Sequence, residues 1–186
     1  MLRTALRLLL ASCYWLLATA LPAQAPKGAA ASAGGVKWTA PARWTAEGAR
    51  PMRAATYRIP PAPGDPEAGE CAAFFFGTGQ GGSVDANVKR WVDQFQQPDG
   101  KAAVGAKILR QEVNGLKVTT VDVSGTYLAS AGPMSPKKTS KPGFRLLGTI
   151  VEAPQGGVFF KLTGPAKTVA AAEKEFQGLV KSLRKE

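Results

Sequence analysis

Between residues 70 and 95 the spacing of the hydrophobic positions changes period. Residues 71–76 form an unbroken apolar run, the pattern of a strand buried on at least one face. From Val84 onward the apolar residues fall at Val84, Val88, Trp91, Val92 and Phe95, the spacing of one face of an α-helix. Asp85, Lys89, Arg90, Asp93, Gln94 and Gln96 occupy the other side. A glycine-rich turn, residues 77–82, joins the two, and Ser83 stands where a helix N-cap belongs. The pattern predicts a strand, a tight turn and an amphipathic helix around which the remaining elements are arranged.

Upstream, Trp38, Pro41 and Trp44 mark the start of order near Val36, and residues 52–59 predict a strand closed by Pro60 and Pro61. Residues 60–70 read as a loop. Downstream, Gln97-Pro98-Asp99-Gly100 ends the helix. Asn114-Gly115 lies between apolar runs at 106–113 and 116–128, a strong hairpin signal. In the second run the alternation changes phase between Leu116 and Val118 on one side and Val121 and Val123 on the other, which predicts a β-bulge near Thr119 and Thr120. Residues 129–143 read as a long Pro/Ser/Lys loop, followed by a second hairpin, 144–151 and 158–162. Gly164-Pro165 leads into a last helix with Val169, Ala172, Phe176, Leu179, Val180 and Leu183 on one face and Lys181, Arg184 and Lys185 in its final turn. No internal repeat is present. Hairpins dominate, so the expected class is α+β: a mainly antiparallel β-sheet flanked by helices, an α/β/α sandwich, in one domain over residues 36–186.

The first 25 residues differ in kind. A basic start with Arg3 and Arg7 precedes an apolar stretch over residues 8–21, and Ala23-Gln24-Ala25 closes it. This is the layout of a signal peptide, with cleavage after Ala20, Ala23 or Ala25. The stretch is short for a membrane span. Leu10-Ala11-Ser12-Cys13 resembles a lipobox, so a lipoprotein anchored at Cys13 is the alternative to simple export. Residues 26–35 read as a flexible Ala/Gly/Ser leader. The expected location is therefore exported, periplasmic or extracellular, with a membrane link only through a lipid at Cys13. In an oxidising compartment Cys71 would be a lone thiol; beside Phe74, Phe75 and Phe76 it reads as a buried small hydrophobe.

Charge and chemistry then narrow the function. The chain has 24 basic and 13 acidic residues, a net charge of +11, and 22 basic residues remain if Arg3 and Arg7 leave. Such an excess favours anionic partners without identifying one. There is no histidine, which removes histidine bases, histidine metal ligands and Ser-His or Cys-His nucleophiles. Asp65, Glu67 and Glu70 share the 60–70 loop but lack the spacing of an EF-hand, so a solvated loop is expected rather than a Ca²⁺ site. The turn Gly77-Thr78-Gly79-Gln80-Gly81-Gly82 fits G-x-G-x-x-G after a strand and before a helix. A dinucleotide fingerprint also needs a parallel βαβ unit and an acidic residue at the next strand end; the hairpins and the placement of Asp99 argue against both. A structural turn needing positive φ angles is the first expectation, and an anion site at Gly79, Gly82 and Ser83, with a nucleotide ligand or an enzymatic role, is the second. Lys137, Lys138, Lys141 and Arg145 lie in a span without acidic residues and are the candidate contacts for a partner. No cofactor or metal is expected.

Three spaced sets of residues carry a family resemblance: Trp38-x-x-Pro41-x-x-Trp44, Asn87-x-x-Arg90-Trp91-x-x-Gln94-Phe95 and Phe176-x-x-Leu179-x-x-Ser182-Leu183. Together with the element order, they make residues 36–186 resemble the PsbP-like sandwich family, shared with the Mog-type Ran-binding proteins, and within it an exported bacterial branch. The resemblance implies an α/β/α sandwich and a non-enzymatic, partner-binding role, and it brings no catalytic motif. The expected function is a non-catalytic exported binding or assembly module of the cell envelope, its partner a protein or an anionic envelope component. Export and the lack of a basic face interleaved with aromatics argue against nucleic acid.

Overall fold

The computed structural model describes residues 28–130 and 138–186; the expected signal peptide, Cys13 and Lys137 lie outside them. The chain order is β1 Ala30–Ala33, β2 Val36–Thr39, β3 Thr45–Ala46, β4 Ala55–Ile59, β5 Gly69–Phe75, α1 Val84–Val92, β6 Phe95–Gln96, β7 Lys107–Val113, β8 Leu116–Ser130, β9 Lys138–Ala153, β10 Gly156–Pro165, α2 Ala166–Lys181 and β11 Arg184–Lys185. The main sheet runs β3-β4-β5-β10-β9-β8-β6, with β7 also on β8, and every pairing described is antiparallel. The architecture is the α+β sandwich expected from the hairpins. No described helix is long and apolar enough to cross a membrane.

Each helix buries one face of the sheet. Under α2 lie Tyr57, Cys71, Phe160, Leu162, Leu147, Val151, Leu116 and Val118, joined by Trp38 and Trp44. Under α1 lie Val121, Val123, Leu146, Ile150 and Phe159, with Val88 and Trp91 contributed by the helix. Covering both faces explains the phase change in β8. Leu116 and Val118 point to α2, whereas Val121 and Val123 point to α1, and β8 pairs with β9 in unbroken register from Lys117 to Gly125. The bulge expected at Thr119 and Thr120 is absent. The irregularity comes instead between Gly125 and Tyr127, where a side chain at Gly125 would strike the Gln96 backbone of β6.

Four more expectations shift. Ala30–Ala33 is not a tether: it pairs with β2 through Gly34 (φ 62°) and Gly35 (φ 79°), the glycine pair of a tight hairpin turn. Helix α1 stops at Val92, and Phe95, the last residue of its predicted face, is buried as part of β6, 5.1 Å from the Tyr127 ring. Strands β8 and β9 extend into the predicted 129–143 loop, leaving residues 131–137 between them. Lastly, Arg184 and Lys185 leave α2 and pair with Lys37 and Val36, completing a small β1-β2-β11 sheet.

Candidate functional site

The glycine turn is built as a turn. Gly77, Gly79, Gly81 and Gly82 have φ of 99°, 71°, 92° and 78°, angles that favour glycine. Ser83 caps α1, its Oγ accepting from the Ala86 N–H at 3.2 Å. The Asn87 side-chain amide donates to the carbonyls of Gly81 (2.7 Å) and Ser83 (2.8 Å), tying the turn to the helix. Strand β5 is antiparallel to both its neighbours, so the parallel unit of a dinucleotide site is not formed here.

Among the described residues, the candidate contacts Lys138, Lys141 and Arg145 do not form one patch. Lys138 is exposed at the start of β9. Lys141 bonds Glu67 at 2.6 Å and lies 5.1 Å from the Phe144 ring centroid. Arg145 is on the opposite face, with only 15% of its side chain exposed. It grips Asp122 through two bonds of 2.8 Å and reaches Glu173 at 2.9 Å. Those carboxylates raise the affinity of Arg145 for its proton against the opposing effect of burial. Arg145 is therefore a structural ion pair beneath α2, not a free contact. The carboxylates expected in the 60–70 loop are also engaged: Asp65 accepts from the backbone N–H and hydroxyl of Thr168 at the start of α2, and Glu70, which lies in β5 rather than in a loop, takes Arg50 and Arg53. Burial pushes the Cys71 thiol up, with the Glu70 charge adding to it, so it stays protonated and unreactive.

What the structure does assemble is a cleft of about 480 Å³ on the α1 face of the sheet. Helix α1 has nine residues and packs over β8 and β9, its Trp91 ring resting on Gly148. The part of β4, β5 and β10 beyond it stays open. On the cleft floor Ala72 of β5 sits opposite Lys161 of β10. Lys161 is half-buried, and its ammonium donates to Gln94 Oε1 at 2.6 Å and the Tyr127 hydroxyl at 3.0 Å, lying 5.0 Å from the Tyr127 ring centroid. Burial lowers its pKa to about 8. Arg90 and Arg53 push the same way, and Glu70 opposes them.

Two walls flank the floor. On one, Arg53 pairs with Glu70 at 2.8 Å and stands 5.6 Å from the Phe74 ring centroid; Arg50 joins Glu70 to Glu47. On the other, Tyr127 stacks on Phe144 with centroids 6.0 Å apart and an interplanar angle of 13°. Burial raises the Tyr127 phenol above its ordinary value, so it stays protonated at neutral pH. The cleft thus combines aromatic faces, committed ion pairs and one cation held by neutral oxygens. Its parts come from β4, β5, β8, β9 and β10 and the segments before β4 and β5, with Gln94, between α1 and β6, holding Lys161. One sequence signal does point to it: along β10, Phe159 and Lys161 share a face, as Phe74, Ala72 and Glu70 do along β5, so each strand turns from apolar to polar where the cover of α1 ends.

No family model matches this chain, and no curated protein matches it. Among solved structures, the solution structure of cyanobacterial PsbP (CyanoP) from Synechocystis sp. PCC 6803 is similar over 91% of this chain and 99% of its own, at 11% identity and a TM-score of 0.50. That likeness is one of fold: this chain has a PsbP-like architecture.

Proposed function

We propose that this PsbP-like chain is an exported, non-catalytic binding module of the cell envelope, and that the cleft beside α1 is its binding site. The observation that carries the reading is the cleft itself: an open, aromatic-walled recess on a sheet face that α1 covers only in part. Around it Glu47, Glu67 and Glu70 are engaged in ion pairs with Arg50, Arg53 and Lys141, while Lys161 is held by neutral oxygens. The signal-peptide layout of residues 1–25 supports export, and the family resemblance of residues 36–186 supports partner binding. Lys138, exposed beside the far ends of β8 and β9, extends the contact toward an acidic protein patch or an anionic envelope component.

Photo-crosslinking in intact cells tests this. A crosslinking residue at Ala129, on the cleft wall, is expected to capture a discrete partner, and one at Gly178, exposed on α2, is not. The intact mass of the recovered chain also reads its mature N-terminus, expected between residues 21 and 26 without a lipid. Equal capture from both positions, or none from either, contradicts the proposed site; a mass beginning at an acylated Cys13 replaces simple export with lipid anchoring.

A further inference from the structure

The charges of the cleft do not balance one against one. Its lining carries Glu47, Glu67 and Glu70. Glu67 is taken by Lys141, Glu47 by Arg50, and Glu70 by both Arg50 and Arg53. Among the described residues, no carboxylate lies within ion-pair reach of the Lys161 ammonium, nor of the exposed Arg58 guanidinium at the rim. Lys161 spends two of its three N–H donors on the neutral oxygens of Gln94 and Tyr127. A cation drawn into a protein surface is ordinarily matched by a charge, and here Arg53 and Arg90 add further positive potential.

The shape agrees with the charge. Ala72, opposite Lys161, places only a methyl on the floor, and Phe74, Tyr127 and Phe144 present aromatic surface around it. A volume of about 480 Å³ lies within the range of small-molecule sites, and the lining sets these aromatic faces among charged groups. We propose that the cleft takes a small organic anion, its carboxylate or phosphate head on Lys161 with Arg58 at the rim and its apolar body against Phe74, Tyr127 and Phe144. This rests on the binding-module reading and names the ligand chemistry of its site. Lys161 is the positioning charge. The charged and titratable groups facing it are Arg90 from α1, Glu70 from β5, Tyr127 from β8 and Arg53 from the turn before β4.

The test is a titration of the isotope-labelled mature chain with benzoate and with phenyl phosphate, followed by amide chemical shifts. Inorganic phosphate and benzyl alcohol serve as probes of each half alone. One or both aromatic anions are expected to give saturable shifts at Ala72, Phe74, Tyr127 and Lys161 with a Kd of about 0.1–1 mM, the range for a small ligand making few contacts. The stronger of the two identifies the head group. Each half-probe is expected to bind about tenfold more weakly. Lys161→Gln is expected to weaken binding at least about fivefold and Arg58→Gln about two- to threefold, the latter at an exposed site where folding is unaffected. A bound anion also strengthens the hold of Lys161 on its proton. Calorimetry at pH 8 in buffers of different ionisation enthalpy is therefore expected to show proton uptake in the natural chain and none in Lys161→Gln. Benzyl alcohol binding as tightly as benzoate, shifts confined to the glycine turn, or affinity unchanged in both variants overturns the proposal. Failure of the cellular crosslink with benzoate still bound would leave the anion site standing and remove the envelope partner.

Discussion

Gly148 and Trp91 show how much a single atom decides. The indole rests directly on the backbone of β9, and a methyl at position 148 would overlap the ring. Gly148→Ala is expected to lift α1 from the sheet and lower stability by about 1–3 kcal/mol, the cost of overpacking, read as a lower midpoint in urea and altered Trp91 emission. Lys161 is the second such residue. Its folded pKa of about 8 lies below the ordinary lysine value of 10.5, so across that window the unfolded chain binds more protons and folding stability rises with pH. Below pH 8 the full cost of the half-buried charge is present. Lys161→Met removes that cost and is expected to be at least as stable as the natural chain at pH 7. Its advantage should shrink as pH climbs from 8 toward 10; an advantage independent of pH would place the effect in packing instead. Neither role is visible in the residue alone, since glycine and lysine are ordinary in strands that end near the surface.

At the scale of elements, β11 is the most informative. Leu183, fully buried, anchors the chain just after α2 and turns Arg184 and Lys185 onto β2, while the Glu186 N–H donates to the Gly35 carbonyl at 3.0 Å. Read as a helix, those two basic residues suit a C-terminal turn; the pull of Leu183 into the α2 core overrides that local preference. Deleting residues 184–186 leaves β2 without one of its two neighbours. The expected result is faster amide exchange across β1 and β2 with the main sheet unaffected, because local opening follows the loss of local pairing. Exchange that is unchanged in β1 and β2 would show the small sheet to be held by its side chains alone. The same logic explains the N-terminal leader, whose small residues suggested flexibility but whose Gly34 and Gly35 form a turn that fits only a hairpin.

Across the whole molecule, the order of the longer strands and the two helices, the Asn114-Gly115 hairpin (φ 49° and 75°), the positive-φ glycine turn and the Ser83 cap were determined by the sequence itself, whereas the short strands β1, β6 and β11 were not. Each depends on neighbours a few residues apart, where periodicity and turn chemistry act directly. The PsbP-like resemblance came from such landmarks too, because Trp38, Trp44, Trp91 and Phe176 are packing residues and all are buried. Tertiary structure decided the rest. The Lys141–Glu67 pair spans 74 residues and Arg145–Asp122 spans 23, so two cations of a run that looked uniformly basic lie on opposite faces of the sheet, each paired with a carboxylate. The cleft arises because α1 is shorter than the sheet is wide, leaving Lys161, Ala72 and Tyr127 uncovered together although 89 residues separate the first two. Local chemistry specifies elements; where one layer stops covering another depends on their relative size and placement, which only the folded chain sets.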